Sequence, residues 1–186
     1  MKILRWTTTT LGVVVVLIFL TGLALPATFR VERSATIAAP PEVIFAQVAD
    51  LGRWPTWTVW SRARDPGVEI THHGPDSGVG SEARWQGERI GSRTVIITAL
   101  QNHRRVAYDL HVQGFDGPAK GTIVLAKGAD GTTQVTWTQE GGVGWNVLGR
   151  LLLPLMDGAM GPDLESGLAR LRELSEGSAQ GTEEGG

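Results

Sequence analysis

Asp109 and His111 are the two side chains whose types and spacing best suit acid–base chemistry in this sequence. They lie two residues apart within the segment 105–112, whose alternating pattern predicts a β-strand, so both would occupy one face. A carboxylate in that position can orient an imidazole for proton transfer. However, the same face also carries Gln113, and the predicted strand 80–88 has an equally polar face. A solvated outer sheet face accounts for this pattern, and we predict no catalytic residues there.

Metal or nucleophilic chemistry has little support in the rest of the chain. The sequence contains no cysteine, which excludes thiolate metal ligands and cysteine nucleophiles. His72 and His73 are consecutive, so on a strand their side chains would point to opposite faces, and no His-x-His or His-x-x-x-His spacing occurs. The sequence also lacks a glycine-rich phosphate loop and a G-x-S-x-G elbow. We therefore expect no metal, no cofactor and no catalytic residue.

The segment "RWPTWTVW" (53–60) is the most unusual feature, because it holds three evenly spaced tryptophans, Trp54, Trp57 and Trp60. A spacing of three suits one face of a helical turn, whereas Pro55 and the β-branched residues after it oppose a long helix. The pattern predicts a helical turn that opens into an extended segment, with the rings directed at an apolar interior. Two interpretations remain: the rings line a ligand cavity, or they fill one end of the core.

Three more aromatic rings are predicted to face the interior. Trp85, Tyr108 and Trp137 each alternate in register with apolar residues of their own strands. These rings suit contact with an apolar ligand, and the Tyr108 hydroxyl would supply a polar group. Ordinary core packing is the alternative for each of them.

The composition describes a globular domain with an adequate core. Hydrophobic residues make up 41% of the 186 positions, charged residues make up 19%, and the formal net charge is −2. No run rich in lysine and arginine occurs, so nucleic-acid binding has no electrostatic support.

The N-terminal segment predicts a membrane anchor. Residues 6–29 carry no charge, and roughly 20 apolar residues are enough to span a bilayer as a helix. A cleaved signal peptide is the alternative, but "LPA" (25–27) is a poor cleavage site. Because Lys2 and Arg5 precede the span, we expect residues 1–29 to anchor a single-pass membrane protein whose domain lies on the extracytoplasmic side.

The following chain predicts the order strand, helix, six strands, helix. Residues 29–39 alternate between apolar and polar types, and two prolines then suit the first turn of a helix over 40–51. Short turns rich in glycine separate the next six predicted strands and imply an antiparallel meander. These strands cover 68–73, 80–88, 92–100, 105–112, 120–128 and 132–140.

Leucines at helical spacing from Leu164 onwards predict a long C-terminal helix, which Pro154 and the glycines of 158–161 separate from a shorter one. One face of the sheet must be buried, and this helix is long enough to bury it. Residues 177–186 are polar and rich in glycine, and we predict a disordered tail there. The predicted domain therefore spans 30–176.

Four sequence blocks resemble the START-related helix-grip proteins, in the branch called polyketide cyclase/dehydrase and lipid transport (SRPBCC). The blocks are "RSATIAAPPEVIFAQVADLGRWPTW" (33–57), "GVGSEARWQGE" (78–88), "QVTWTQEGG" (134–142) and "MGPDLESGLARLREL" (160–174). The resemblance implies an α+β helix-grip fold, in which a curved antiparallel sheet of about seven strands wraps around a long C-terminal helix, here preceded by the predicted transmembrane helix. It also implies a hydrophobic cavity between sheet and helix, but no catalytic residue common to the whole family.

The resemblance further implies that a small hydrophobic or lipid-like molecule binds in this cavity. Its lining would come from Trp57, Trp60, Trp85, Tyr108, Leu110, Trp137, Met160 and Leu164. The leading interpretation is therefore a membrane-tethered binding protein. The second is a polyketide cyclase/dehydratase-like enzyme, although no inward ionisable residue stands out to support it. The third is a non-catalytic interaction domain with a filled interior.

Overall fold

A seven-stranded antiparallel sheet, curved around a C-terminal helix, forms the domain. The computed structural model describes residues 12–13, 16–114 and 117–183. The strand order is β1-β7-β6-β5-β4-β3-β2, so β2 to β7 form the predicted meander and β1 joins it beside β7. Each predicted strand is confirmed, with its ends shifted by two residues at most. The strands are β1 (Thr28–Ile37), β2 (Glu69–His73), β3 (Glu82–Gly87), β4 (Gly91–Gln101), β5 (Arg105–Val112), β6 (Ala119–Lys127) and β7 (Thr133–Gly142).

In the part of the chain that follows β1, the structure describes four helices. They are α1 (Pro41–Val48), α2 (Trp54–Trp57), α3 (Val147–Leu152) and α4 (Met156–Glu183). Short 3-10 turns lie before α2 (Leu51–Arg53) and before α4 (Leu153–Leu155). Proline at the start of α1 and α2 fits their first turns, where its missing N–H has no helical partner to lose. The predicted α+β arrangement of sheet and C-terminal helix is confirmed.

The predicted transmembrane helix, and with it the single-pass membrane location, is wrong. Among the described residues, no helix is long and apolar enough to cross a membrane. Gly22 packs against α3, since a Cβ built there would lie 2.9 Å from the Val147 carbonyl oxygen. The other positions of the predicted anchor, 1–11 and 14–15, lie outside the described residues.

The C-terminal helix also differs from the prediction in its bounds. The break falls at the 3-10 turn around Pro154, and the glycines of 158–161 continue inside α4. Residues 177–183, which we predicted to be disordered, extend the same helix to Glu183. The predicted tail therefore begins as helix, and its last positions, 184–186, lie outside the described residues.

Contacts on two sides fix α4 against the sheet. Leu164, Leu168 and Leu171 of α4 are buried against the concave face of the sheet. The helix approaches β7 closely at Gly167, where a Cβ would lie 2.7 Å from Cζ3 of Trp137. On the β1 side, Arg33 donates to Asp157 at 2.8 Å and to Glu165 at 2.6 Å, and both carboxylates belong to α4. An apolar cavity lies under the first turns of this helix.

Candidate functional site

A cavity of about 230 Å³ lies between the concave face of the sheet and the start of α4. Its walls come from β1, β4 to β7, α4, the segment after α2 and the described part of the β5–β6 connection. Most lining residues are apolar, and the polar lining side chains are Arg93, Gln139 and Asp163. The volume falls between that of an engineered cavity that binds benzene, about 150 Å³, and that of typical drug-sized pockets, which begin at about 300 Å³. The space therefore suits a small, mainly apolar molecule.

Two of the three evenly spaced tryptophans donate hydrogen bonds to carbonyl groups at the C-terminal end of α1. Trp54 Nε1 donates to the Val48 carbonyl at 3.0 Å, and Trp57 Nε1 donates to the Gln47 carbonyl at 3.3 Å. Carbonyl groups in the last turn of a helix have no partner within that helix. Both rings are fully buried. Trp54 and Trp57 are thus core residues that fix α2 to α1.

Trp60 has a different environment, because the chain becomes extended at Thr58, directly after α2. The Trp60 ring is buried and lines the cavity. It packs against the rings of Trp54 and Trp85 at centroid distances of 5.9 and 5.7 Å. The guanidinium carbon of Arg93 lies 5.0 Å from its centroid, within cation–π range. The predicted helical turn that opens into extended chain is confirmed, and its rings divide into two core residues and one cavity wall.

Tyr108 lies behind the cavity wall and binds two lining side chains. Its hydroxyl oxygen accepts hydrogen bonds from Trp137 Nε1 at 2.8 Å and from Gln139 Nε2 at 3.1 Å. Burial raises the pKa of Tyr108 to about 12, so the phenol stays neutral at physiological pH. Gln139 is itself buried, and its Oε1 has no hydrogen-bond partner within the described part of the chain. Tyr108 therefore positions Gln139 without satisfying its amide oxygen.

Arg93 brings a positive charge to the cavity. Its Nη2 donates to the Ile90 carbonyl, while its buried Nε has no partner among the residues that the structure describes. Desolvation lowers the pKa of Arg93 from its ordinary value, as expected for a cation held away from water. Asp163 of α4 also lines the cavity, and it forms an ion pair with Arg64 at 2.6 Å. Two guanidinium groups and one carboxylate leave one positive charge in excess at this end of the cavity.

The structure brings five of the eight predicted ligand-contact residues to the cavity. These are Trp60, Leu110, Trp137, Met160 and Leu164. Trp57, Trp85 and Tyr108 are buried outside it. Strand alternation predicts which face of the sheet a side chain occupies, but not how far the cavity extends along that face. A ligand-binding role for the five residues stays a prediction.

Arg93 and Gln139 are polar lining residues that the sequence analysis missed. Arg93 shares the phase of the buried Val95 and Ile97 in β4, and Gln139 shares that of Trp137 in β7. A charged or amide side chain on the apolar phase of a strand is costly to bury without partners. This sequence signal could have identified both residues.

The residues first considered for acid–base or metal chemistry lie away from the cavity. Asp109 pairs with Lys120 of the adjacent strand at 3.3 Å, and His111 is exposed, so the predicted solvated outer face is confirmed. His72 and His73 are both exposed on β2. Within the described ranges, no three histidine, aspartate or glutamate residues are grouped to hold a metal ion.

Comparison with known proteins identifies similar chains. Residues 28–176 match the family model described as polyketide cyclase/dehydrase and lipid transport. No curated protein matches the chain. Protein CV1439 from Chromobacterium violaceum is 20% identical in sequence, with coverage of 82% of this chain and 99% of that chain and a TM-score of 0.57. Protein SA2116 of unknown function from Staphylococcus aureus is 16% identical, with coverage of 82% and 96% and a TM-score of 0.65.

Truncated norcoclaurine synthase from Thalictrum flavum is also similar in structure. It is 16% identical, with coverage of 79% of this chain and 92% of that chain and a TM-score of 0.60. At such identities these structures show a common fold, and they do not transfer an activity.

Proposed function

Because the chain belongs to the polyketide cyclase/dehydrase and lipid transport family, we propose that it binds a small, mainly apolar molecule between the sheet and α4. The observation that carries the proposal is the cavity of about 230 Å³. The space is concave, partly open to the surface and mostly apolar, and small-molecule sites in proteins share these properties. A recess of this kind supports ligand binding over an interaction domain with a filled interior.

The two sides of the cavity differ in the rigidity of their side chains. Trp60 and Trp137 are rigid rings that other aromatic residues hold in place. On the opposite side, α4 presents Met156 and Met160. Methionine is unbranched and adapts its shape to what it contacts. A flat apolar group would thus meet fixed rings on one side and adaptable thioethers on the other.

Binding is a better match to this cavity than catalysis. Within the described part of its lining, the ionisable side chains are Arg93 and Asp163. Arg93 is a cation and cannot accept a proton, and the Asp163 carboxylate is paired with Arg64. The Tyr108 phenol lies outside the cavity and is neutral at physiological pH. Proton transfer of the cyclase or dehydratase type has no free general base here.

Native mass spectrometry of the purified protein tests the proposal directly. We expect a population whose mass exceeds that of the chain by one small molecule, and we expect this species to disappear after denaturation and refolding. The refolded protein should then bind the neutral hydrophobic dye N-phenylnaphthylamine with an increase in dye fluorescence.

Ala119→Leu provides the site-specific variant and Ala126→Leu its control. Both alanines lie on β6, but Ala119 lines the cavity whereas Ala126 is exposed. The Ala119 variant should fill the space and lose the dye, and the Ala126 variant should bind it as the wild type does. The proposal fails if the wild type neither carries a molecule nor binds the dye, or if the Ala119 variant binds the dye normally.

A further inference from the structure

We propose that the domain binds the surface of a lipid bilayer through an exposed apolar face that α3 shares with the residues on either side of it. This α3 face consists of four large side chains, Trp145, Leu148, Leu152 and Leu155. The contact is with the bilayer surface, since no helix in the described chain is long and apolar enough to cross a membrane. The proposal is independent of ligand binding, because none of these four residues lines the cavity.

The α3 face is apolar where a surface helix is normally polar. Its four side chains are between 60% and 85% exposed. Their spacing of three, four and three residues places them along one side of a helical segment. The adjacent Leu153 is buried, so this part of the chain is apolar towards the domain and towards solvent alike. A continuous exposed apolar patch of this kind marks a surface that binds a protein or a membrane.

A second exposed apolar element lies beside the α3 face. The helical residues 16–24 contact α3, where Arg150 Nη1 donates to the Leu23 carbonyl at 3.3 Å. Their exposed apolar side chains are Val16, Leu17, Ile18, Phe19, Leu20 and Leu23. Consecutive residues of a helix point about 100° apart, so the run 17–20 presents apolar side chains in every direction. A fluid lipid phase can surround such an element, whereas one protein surface covers only one side of it.

The charge on this part of the domain favours a lipid surface over a second copy of the chain. Arg150 is the sole charged residue of the segment 144–156, and its guanidinium carbon lies 5.5 Å from the centroid of the Trp145 ring. Tryptophan is enriched at the level of the lipid headgroups, and arginine is attracted to anionic lipids. In a symmetric dimer the same face would meet itself, which would bring two Arg150 cations together with no carboxylate from this segment to pair them.

Flotation of the full chain with lipid vesicles tests the proposal. Vesicles of phosphatidylcholine and phosphatidylglycerol should carry the wild-type protein to the top of a density gradient. The double variant Leu148→Gln/Leu152→Gln should bind these vesicles about tenfold or more weakly, because two apolar side chains no longer leave water on binding. Both leucines are exposed, so the Tm of this variant should not fall.

Val79→Gln/Val124→Gln is the matched control. It replaces two other exposed apolar side chains that lie outside the α3 face, and it should float as the wild type does.

Phosphatidylcholine brominated on its acyl chains tests the contact of Trp145, because bromine quenches the fluorescence of rings close to it. Trp145 is 85% exposed, whereas the other described tryptophans are buried. Brominated vesicles should therefore quench part of the wild-type emission and less of the emission of Trp145→Phe. This variant should still float, since phenylalanine keeps an apolar ring at the position.

The outcomes that contradict the proposal are specific. A wild-type protein that does not float overturns it, and so does equal flotation of the wild type and Leu148→Gln/Leu152→Gln. Dimerisation without flotation, lost in the same double variant, would assign the α3 face to a second copy of the chain instead. Quenching that is unchanged in Trp145→Phe would overturn the contact of Trp145 with lipid.

Discussion

Replacing Gly121 with alanine tests how the wall of the cavity is fixed. Gly121 of β6 lies directly opposite Tyr108 of β5 in the register of the sheet. A methyl group at this glycine would overlap Cζ, Cε1 and Cε2 of the Tyr108 ring. An aromatic ring laid over a cross-strand glycine stabilises a sheet through close contact. The ring cannot move away freely, because its hydroxyl binds Trp137 and Gln139 and Trp54 packs against it at 4.9 Å.

The expected cost of Gly121→Ala combines three effects. Overpacking a core costs about 1 to 3 kcal/mol, and displacing the phenol weakens two buried hydrogen bonds that contribute about 1 kcal/mol each. The lower backbone entropy of unfolded alanine offsets about 0.5 to 1 kcal/mol. The net loss in the free energy of unfolding should be about 2 to 4 kcal/mol, which corresponds to a decrease in Tm of about 5 to 15 °C for a domain of this size.

Thermal and urea denaturation measure this loss, with Gly158→Ala as the control. Gly158 lies inside α4 with open space around its Cα, so alanine there should stabilise the protein by about 0.5 to 1 kcal/mol. A double-mutant cycle with Tyr108→Leu attributes the cost to the ring, because Gly121→Ala should cost much less in that background. An unchanged Tm for Gly121→Ala, or strictly additive effects in the cycle, would refute the close contact.

Two more predictions follow from the same aromatic residues. Tyr108 is the sole tyrosine of the sequence, and its folded pKa of about 12 lies above the unfolded value of about 10. Its stabilising effect is therefore complete below pH 10 and is lost as the pH rises towards 12, by up to about 3 kcal/mol. Tyrosinate absorbance should show this titration midpoint, and urea unfolding of Tyr108→Phe should lack this part of the alkaline loss; a midpoint near pH 10 would contradict burial of the phenol. Trp54→Ala and Trp57→Ala should each lower the free energy of unfolding in urea by about 3 to 5 kcal/mol. Trp60→Ala should lower it less and should weaken binding of the dye. Equal destabilisation by all three variants with unchanged dye affinity would contradict the division between core and cavity residues.

The order and bounds of the strands could be predicted because local signals specify them. Glycine-rich turns between short alternating segments define a meander, and the start of α1 is marked by its prolines. The prediction for the N-terminal segment was wrong because it depended on composition. An uncharged run over 6–29 satisfies the composition of a membrane helix, but no helix among the described residues is long and apolar enough to cross a membrane.

The family resemblance implied a cavity between the sheet and the C-terminal helix, but the sequence did not show which residues line it. Trp57 and Trp60 have the same residue type and similar neighbours in sequence, and we assigned both to the ligand. The structure separates them, because Trp57 bonds the Gln47 carbonyl at the end of α1 while Trp60 lies past the end of α2 beside Arg93. That difference depends on where α2 ends and on how β4 pairs with its neighbours. The periodicity of the sequence predicts neither of these features.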